Sequence, residues 1–89
     1  MTFSATLSGT TATIVLVNLN STANLKIDGA TNLGNELLAF VNDPSTAPVD
    51  NTPAYQVYPV ETGLRITAMH GHIDLPWRWI TPVANALNA

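Results

Sequence analysis

The sequence predicts a small, mainly antiparallel β-sandwich or barrel with one short helix and an extended C-terminal arm. Apolar and polar residues alternate over several short segments, which is typical of half-buried strands. Turn-forming residues separate these segments. A chain of 89 residues has room for one small domain with a modest core. We place the β-rich domain at residues 1–75 and the extended arm at residues 76–89.

The first third of the chain has the pattern of three strands separated by turns. Residues 2–8 alternate strictly between polar and apolar side chains. Residues 12–19 are β-branched and apolar on both faces, which favours a central strand covered on both sides. Residues 24–28 alternate again, and Gly29 ends this third short strand.

The middle of the chain contains an ambiguous segment and then a long loop. Residues 35–42 fit either a strand or a short helix, and the helix is favoured because Leu37, Leu38 and Val41 would share one helical face. Residues 42–54 contain three prolines and are predicted to be a loop. This loop is either a solvated connector or a binding loop.

A hairpin is predicted in the C-terminal half, with strands at residues 55–60 and 64–68 around a compact turn. The apolar residues are even-numbered as far as Ala68 and odd-numbered from Ile73 onwards. A bulge or bend at Gly71 would reverse the parity and keep both apolar sets in the core.

Charged side chains are rare. Lysine and arginine number 3 and aspartate and glutamate 6, together 10% of the residues, whereas 46% are hydrophobic. A typical soluble domain is about a quarter charged. Weakly charged surfaces are poor at keeping proteins apart, so we expect a homo-oligomer or a subunit that binds other proteins.

The composition also argues against several classes of function. Nucleic-acid binding needs clustered basic residues at the phosphates, and this chain has a formal net charge of −3. The longest apolar run is too short to cross a bilayer, so we expect no membrane association. Neither a GxSxG motif nor a Gly-rich phosphate loop is present. We therefore expect the protein not to be an enzyme and to use no cofactor.

One group has the residue types of a metal site: His70, His72 and Asp74. In a regular strand, residues two apart share a face, and imidazoles and carboxylates bind transition metals. The competing interpretation is the bend at Gly71, which separates the two histidines, and for this reason we expect no metal. A trimer could bring three HxH pairs to one axis, an arrangement similar to HxH motifs in fibre and spike proteins of tailed phages.

The C-terminal segment is bracketed by Pro76 and Pro82, which predicts extended backbone that does not form an interior strand. In extended backbone, Trp77 and Trp79 would point to one side. Tryptophan and arginine are the residues most enriched at binding hot spots. The predicted interface comprises the four residues that follow Pro76: Trp77, Arg78, Trp79 and Ile80.

The residues 6–29, TLSGTTATIVLVNLNSTANLKIDG, resemble small virion proteins of tailed bacteriophages, including capsid cement or decoration proteins and small tail components. The resemblance implies a β-rich structural subunit, often oligomeric, which binds capsid or tail subunits in a virion assembled in the host cytoplasm. It assigns no functional residues. The alternative is a carbohydrate-binding module that uses Trp77 and Trp79, with Tyr55 or Tyr58. A third hypothesis is metal binding at His70, His72 and Asp74.

Overall fold

Seven strands and two helices form the chain, which a computed structural model describes from Met1 to Ala89. In chain order they are β1 (Thr2–Ser8), β2 (Thr11–Val17), β3 (Thr22–Ile27), α1 (Leu33–Asn42), β4 (Val49–Asn51), β5 (Tyr55–Val60), β6 (Gly63–Ala68), β7 (Gly71–Pro76) and α2 (Trp77–Leu87). The strands form two antiparallel sheets, which we name sheet A, ordered β1-β2-β3, and sheet B, ordered β4-β5-β6-β7. The predicted mainly β fold class is confirmed.

Sheet A begins with a tight hairpin. The loop between β1 and β2 has two residues, Gly9 and Thr10, and Gly9 has a φ of 63° while Thr10 does not have a positive φ. This is the pattern of a type II′ turn, whose twist matches that of the paired strands. The central position of β2 is confirmed, but its predicted coverage on both sides is wrong. Ile14 is fully buried on the inner face, whereas Val17 on the outer face is 45% exposed because no layer packs there.

Sheet B contains the predicted hairpin of β5 and β6 and continues into a second hairpin. Chain reversal at Met69 and His70 joins β6 to β7, in place of the predicted bulge or bend at Gly71. The reversal changes the parity of the apolar positions, so Ile66 and Ile73 face each other and both are buried. The expectation that both apolar sets enter the core is therefore confirmed. The change of parity is caused by the turn between two strands and not by a bend within one strand.

The second helix replaces the predicted C-terminal arm. The assignment of residues 76–89 to an extended arm outside a domain of residues 1–75 is wrong, since Trp77–Leu87 is helical and packs against α1 and β1. Four apolar residues at helical spacing are buried in the shared core: Ile80, Val83, Ala84 and Leu87. Their burial outweighs the loss of one hydrogen bond at Pro82, which lies inside the helix.

The first helix confirms the favoured interpretation of residues 35–42. Leu33, Leu37 and Phe40 of α1 are all fully buried. The two helices approach closely at Gly34, where a Cβ atom would lie only 3.0 Å from the carbonyl oxygen of Ala84. All residues of the core are apolar or aromatic, and they form a single cluster of 20 buried residues drawn from both sheets and both helices. One core therefore includes both sheets and both helices up to the end of α2.

Candidate functional site

The residues of the predicted interface do not share one surface. Trp77 is 38% exposed at the start of α2, whereas Ile80 is fully buried in the core of its own chain. Trp79 is half-buried, and its ring lies 5.7 Å from that of Phe3 on β1. Because a helix turns about 100° per residue, Trp77 and Trp79 point to nearly opposite sides. The prediction that all four residues line an interface is wrong for Ile80.

The helix also separates the aromatic residues of the carbohydrate hypothesis. Trp77 and Trp79 do not form a stacking platform, and Tyr55 is 2% exposed. Its hydroxyl group donates a hydrogen bond to the carboxylate of Glu36, and burial together with this bond raises the pKa of Tyr55 to about 12. Tyr58 lies on the outer face of sheet B, away from this group.

The candidate metal ligands lie on two elements. His70 is in the turn after β6, whereas His72 and Asp74 are exposed on β7. Asp74 already has a partner, because Arg65 donates two hydrogen bonds to its carboxylate, at 2.7 Å and 3.0 Å. These bonds hold the pKa of Asp74 below its usual range. No group of three His, Cys, Asp or Glu side chains is placed to hold a metal ion.

The outer face of sheet B is a polar surface whose groups bond to one another. The Arg65–Asp74 pair crosses from β6 to β7, and the Tyr58 hydroxyl lies 3.4 Å from that of Thr67. On the adjacent strands, Gln56 donates to the Asp50 carboxylate at 3.4 Å. Much of the polar surface of sheet B is therefore already hydrogen-bonded within the sheet.

The outer face of sheet A has a different composition. The strand register aligns the polar half of each alternating segment into one surface, which we call the hydroxyl face. It comprises Thr2, Ser4, Thr6, Ser8, Thr11, Thr13, Val15, Val17, Thr22, Asn24 and Lys26. Lys26 is its only charged residue. Threonine methyl groups and two valines supply apolar area, and the hydroxyl groups supply donors and acceptors.

Exposed apolar side chains adjoin one end of the hydroxyl face. Thr2 pairs with Val17, so Met1 lies at the same end of sheet A as the turn that contains Leu19. Met1 is 54% exposed and Leu19 is completely exposed. This apolar end and the hydroxyl face are the surfaces that the sequence interpretation missed. The signal was present, since every polar residue of the alternating segment 2–8 is Thr or Ser.

The surface has two small hollows, with volumes of about 190 and 140 Å³. Both are lined by Pro53 and Met69. Ligand pockets are usually about 300–1,000 Å³, so these hollows are smaller than a typical small-molecule site. Lys26, Asp28 and His70 border the second hollow. No helix is long and apolar enough to cross a membrane.

Comparison with known proteins adds no family assignment. No protein-family model, curated protein or solved structure matches the chain. The fold and surface define a small, mainly β protein with an open sheet face that carries a single charged residue. Its function must be argued from that surface.

Proposed function

We propose that this protein is a structural subunit that docks on a larger protein assembly through the hydroxyl face. We further propose that the assembly is a virion, in which the chain acts as a capsid cement or decoration subunit. The observation that carries the proposal is the composition of the hydroxyl face, where Lys26 is the single charged residue. Charged residues are depleted at the centres of protein interfaces because their desolvation is unfavourable.

The geometry of the face favours a protein partner. A three-stranded sheet offers a broad surface rather than a pocket. Its central strand presents Val15 and Val17 between the hydroxyl groups of β1 and the polar side chains of β3. The exposed side chains of Met1 and Leu19 extend the apolar area at one end. A surface of this kind gains affinity from apolar burial and from hydrogen bonds at its rim. Repeated docking sites on a lattice would increase the total affinity further.

The virion proposal is tested on particles from the organism that carries the gene. Particles purified by density gradient are analysed by quantitative mass spectrometry, and we expect this chain in a fixed ratio to the major coat protein. A chain that remains with the soluble proteins and is missing from the particles would contradict the virion proposal.

The docking face is tested with charge substitutions. Val17→Lys and Asn24→Lys are at exposed positions of the hydroxyl face, so the fold should tolerate them while docking is weakened at least tenfold. The matched control carries Thr81→Lys and Asn85→Lys, which add the same charge at exposed positions of α2. Particle content is measured after expression of each variant in place of the wild-type chain. Equal loss in both variants would show that net charge, rather than the hydroxyl face, controls incorporation.

A further inference from the structure

The turn between β3 and α1 contains Asp28 followed by Gly29, the one place in the chain where glycine follows aspartate. Both residues are exposed, and Gly29 has a φ of 66°. The peptide nitrogen after an aspartate can close a five-membered ring on the side-chain carboxyl carbon. Because glycine has no Cβ, no side chain shields that nitrogen here. Ring closure is therefore less hindered at this link than after any other aspartate of the chain.

Hydrogen bonding leaves the reacting groups of this link free. The N–H of Gly29 donates to no backbone or side-chain acceptor of the chain. The carboxylate of Asp28 has a single partner, the hydroxyl group of Thr11 at 3.0 Å. This bond is exposed, so water can replace it at little cost in free energy. Water also reaches both residues of the link, which the second half of the reaction requires.

The other three aspartates are protected. Asp43 precedes a proline, which has no N–H. The carboxylate of Asp50 accepts hydrogen bonds from the backbone N–H and the hydroxyl group of Thr52. Both carboxylate oxygens of Asp74 accept from Arg65. The residue after each of the last two aspartates carries a side chain that hinders the approach of its nitrogen.

We propose that Asp28 is a site of spontaneous isoaspartate formation in the folded protein. The amide nitrogen of Gly29 attacks Cγ of Asp28 and forms an N–Cγ bond, which closes a succinimide ring. The amide hydrogen and the hydroxyl group of the protonated carboxyl leave together as water. Water then adds to one of the two ring carbonyl carbons. Cleavage at Cγ restores aspartate, whereas cleavage at the main-chain carbonyl carbon gives isoaspartate. One water leaves and one enters, so no oxidant or other co-reactant is needed.

Isoaspartate lengthens the main chain at a point where both sides are anchored. The main chain then runs through Cβ and Cγ of residue 28, which adds one atom between Ile27 and Ala30. Ile27 is fully buried and pairs with Ala12 on β2. Ala30 is 1% exposed, and its N–H donates to the carbonyl oxygen of Thr10 at 2.9 Å. The longer link cannot keep both anchors in place, so we expect the modified chain to be less stable.

The test follows the full-length chain during storage at neutral pH in ¹⁸O-labelled water. Each passage through the ring exchanges one carboxyl oxygen with the solvent, so residue 28 should gain ¹⁸O. Electron-transfer fragmentation of its peptides identifies isoaspartate by cleavage at the additional main-chain carbon. An isoaspartyl methyltransferase, used as a probe, measures the total amount. We expect isoaspartate and ¹⁸O at residue 28 before either is detected at another aspartate.

Three variants separate the chemistry of this link from the rest of the chain. Asp28→Glu keeps the carboxylate but needs a six-membered ring, which closes much more slowly, so the methyltransferase signal should be lost. Asp28→Asn should react faster than the wild type, because ammonia leaves more readily than water. Asp50→Glu is the matched control at another exposed aspartate, and it should keep the wild-type signal.

The inference is overturned if isoaspartate accumulates first at another aspartate, or if Asp28→Glu keeps the full signal. It is also overturned if residue 28 converts in a chain unfolded in urea but not in the folded chain, or if it converts in neither state. The structural consequence is measured by urea unfolding after storage. The midpoint should fall for the wild type and stay unchanged for Asp28→Glu, and equal midpoints would contradict the expected loss of stability.

Discussion

At the scale of single residues, the charged side chains of sheet B and of the loop after α1 have local hydrogen-bond partners. Arg65 and Asp74 form a two-bond pair across neighbouring strands of sheet B. Asp43 bonds to the hydroxyl and backbone N–H of Ser45, and these bonds lower the pKa of Asp43. Thr52 lowers the pKa of Asp50 in the same way. The charges of sheet B are thus paired or locally bonded, whereas the hydroxyl face has almost none.

Replacement of Asp74 by Asn should produce a pH-dependent loss of stability. The pKa of Asp74 in the folded chain lies below its unfolded value of about 3.9. Its contribution is therefore fully present above that value and is lost as the pH falls through the folded pKa. Both side chains of the pair are more than a third exposed, so we expect a decrease of only about 0.2–1 kcal/mol at neutral pH.

The measurement is urea unfolding of the wild type and Asp74→Asn at several pH values from about 7 down to about 3. The difference in free energy of unfolding between the two proteins should become smaller towards about pH 3. Glu61→Gln, in the exposed turn between β5 and β6, is the control. A difference that stays constant with pH would show that the Arg65–Asp74 bonds are not its source.

At the scale of elements, α2 shows how packing overrides a local signal. Pro82 lies well inside the helix and cannot donate to the carbonyl group of Arg78, four residues earlier. The helix nevertheless forms because one of its faces is buried against α1 and β1. Just after its C-terminal end, Asn88 donates a hydrogen bond to the side chain of Asn35 at 3.1 Å, which adds a polar contact between the two helices. The proline therefore makes α2 less stable but does not prevent the helix from forming.

Replacement of Pro82 by Ala should stabilise the protein. Proline in a helix interior is about 3 kcal/mol less favourable than alanine, and Pro82 is exposed, so its removal leaves no cavity. We expect the free energy of unfolding to rise by about 1–3 kcal/mol. Chemical denaturation followed by circular dichroism measures it. Pro44→Ala, in the exposed loop after α1, should instead be neutral or slightly destabilising. An unchanged stability of Pro82→Ala would favour an extended C-terminal segment.

At the scale of the whole molecule, one core connects the two sheets. Sheet A and sheet B are separate hydrogen-bonded units, but their inner faces and both helices contribute to one cluster of 20 buried residues. The free energy of unfolding of a native domain is typically only about 5–15 kcal/mol. Loss of any one element should therefore affect the entire fold.

A chain that ends at residue 76 should fail to unfold cooperatively. The truncation removes Ile80, Val83, Ala84 and Leu87 from the core and exposes Phe3 and the inner face of α1. Truncation of a single large core residue costs about 2–5 kcal/mol, so the loss of the three large residues Ile80, Val83 and Leu87 is about as large as the whole stability of a typical domain. Thermal unfolding followed by circular dichroism and calorimetry tests this expectation. Arg78→Ala is the full-length control, and a truncated chain with an unchanged transition would restore the arm hypothesis.

The sequence by itself determined most of the local structure. Alternation with a period of two predicts strands wherever one face is buried, and glycine at positive φ ends them, as at Gly9 and Gly29. The hairpin of β5 and β6 is confirmed for the same reason. The favoured helix at residues 35–42 is confirmed because its apolar residues recur at helical spacing. Each of these elements depends on interactions between residues close in the chain, and such interactions are visible in the spacing of side chains.

Only the tertiary structure decided what depends on distant partners. Four apolar residues are spaced as on one face of a helix: Ile80, Val83, Ala84 and Leu87. This face stabilises the helix only because β1 and α1 bury it. The prolines alone therefore suggested extended backbone. Similarly, the polar residues of three strands become one hydroxyl face only through the register of sheet A. Periodicity shows that a strand has two faces, and only packing decides which one remains open to a partner.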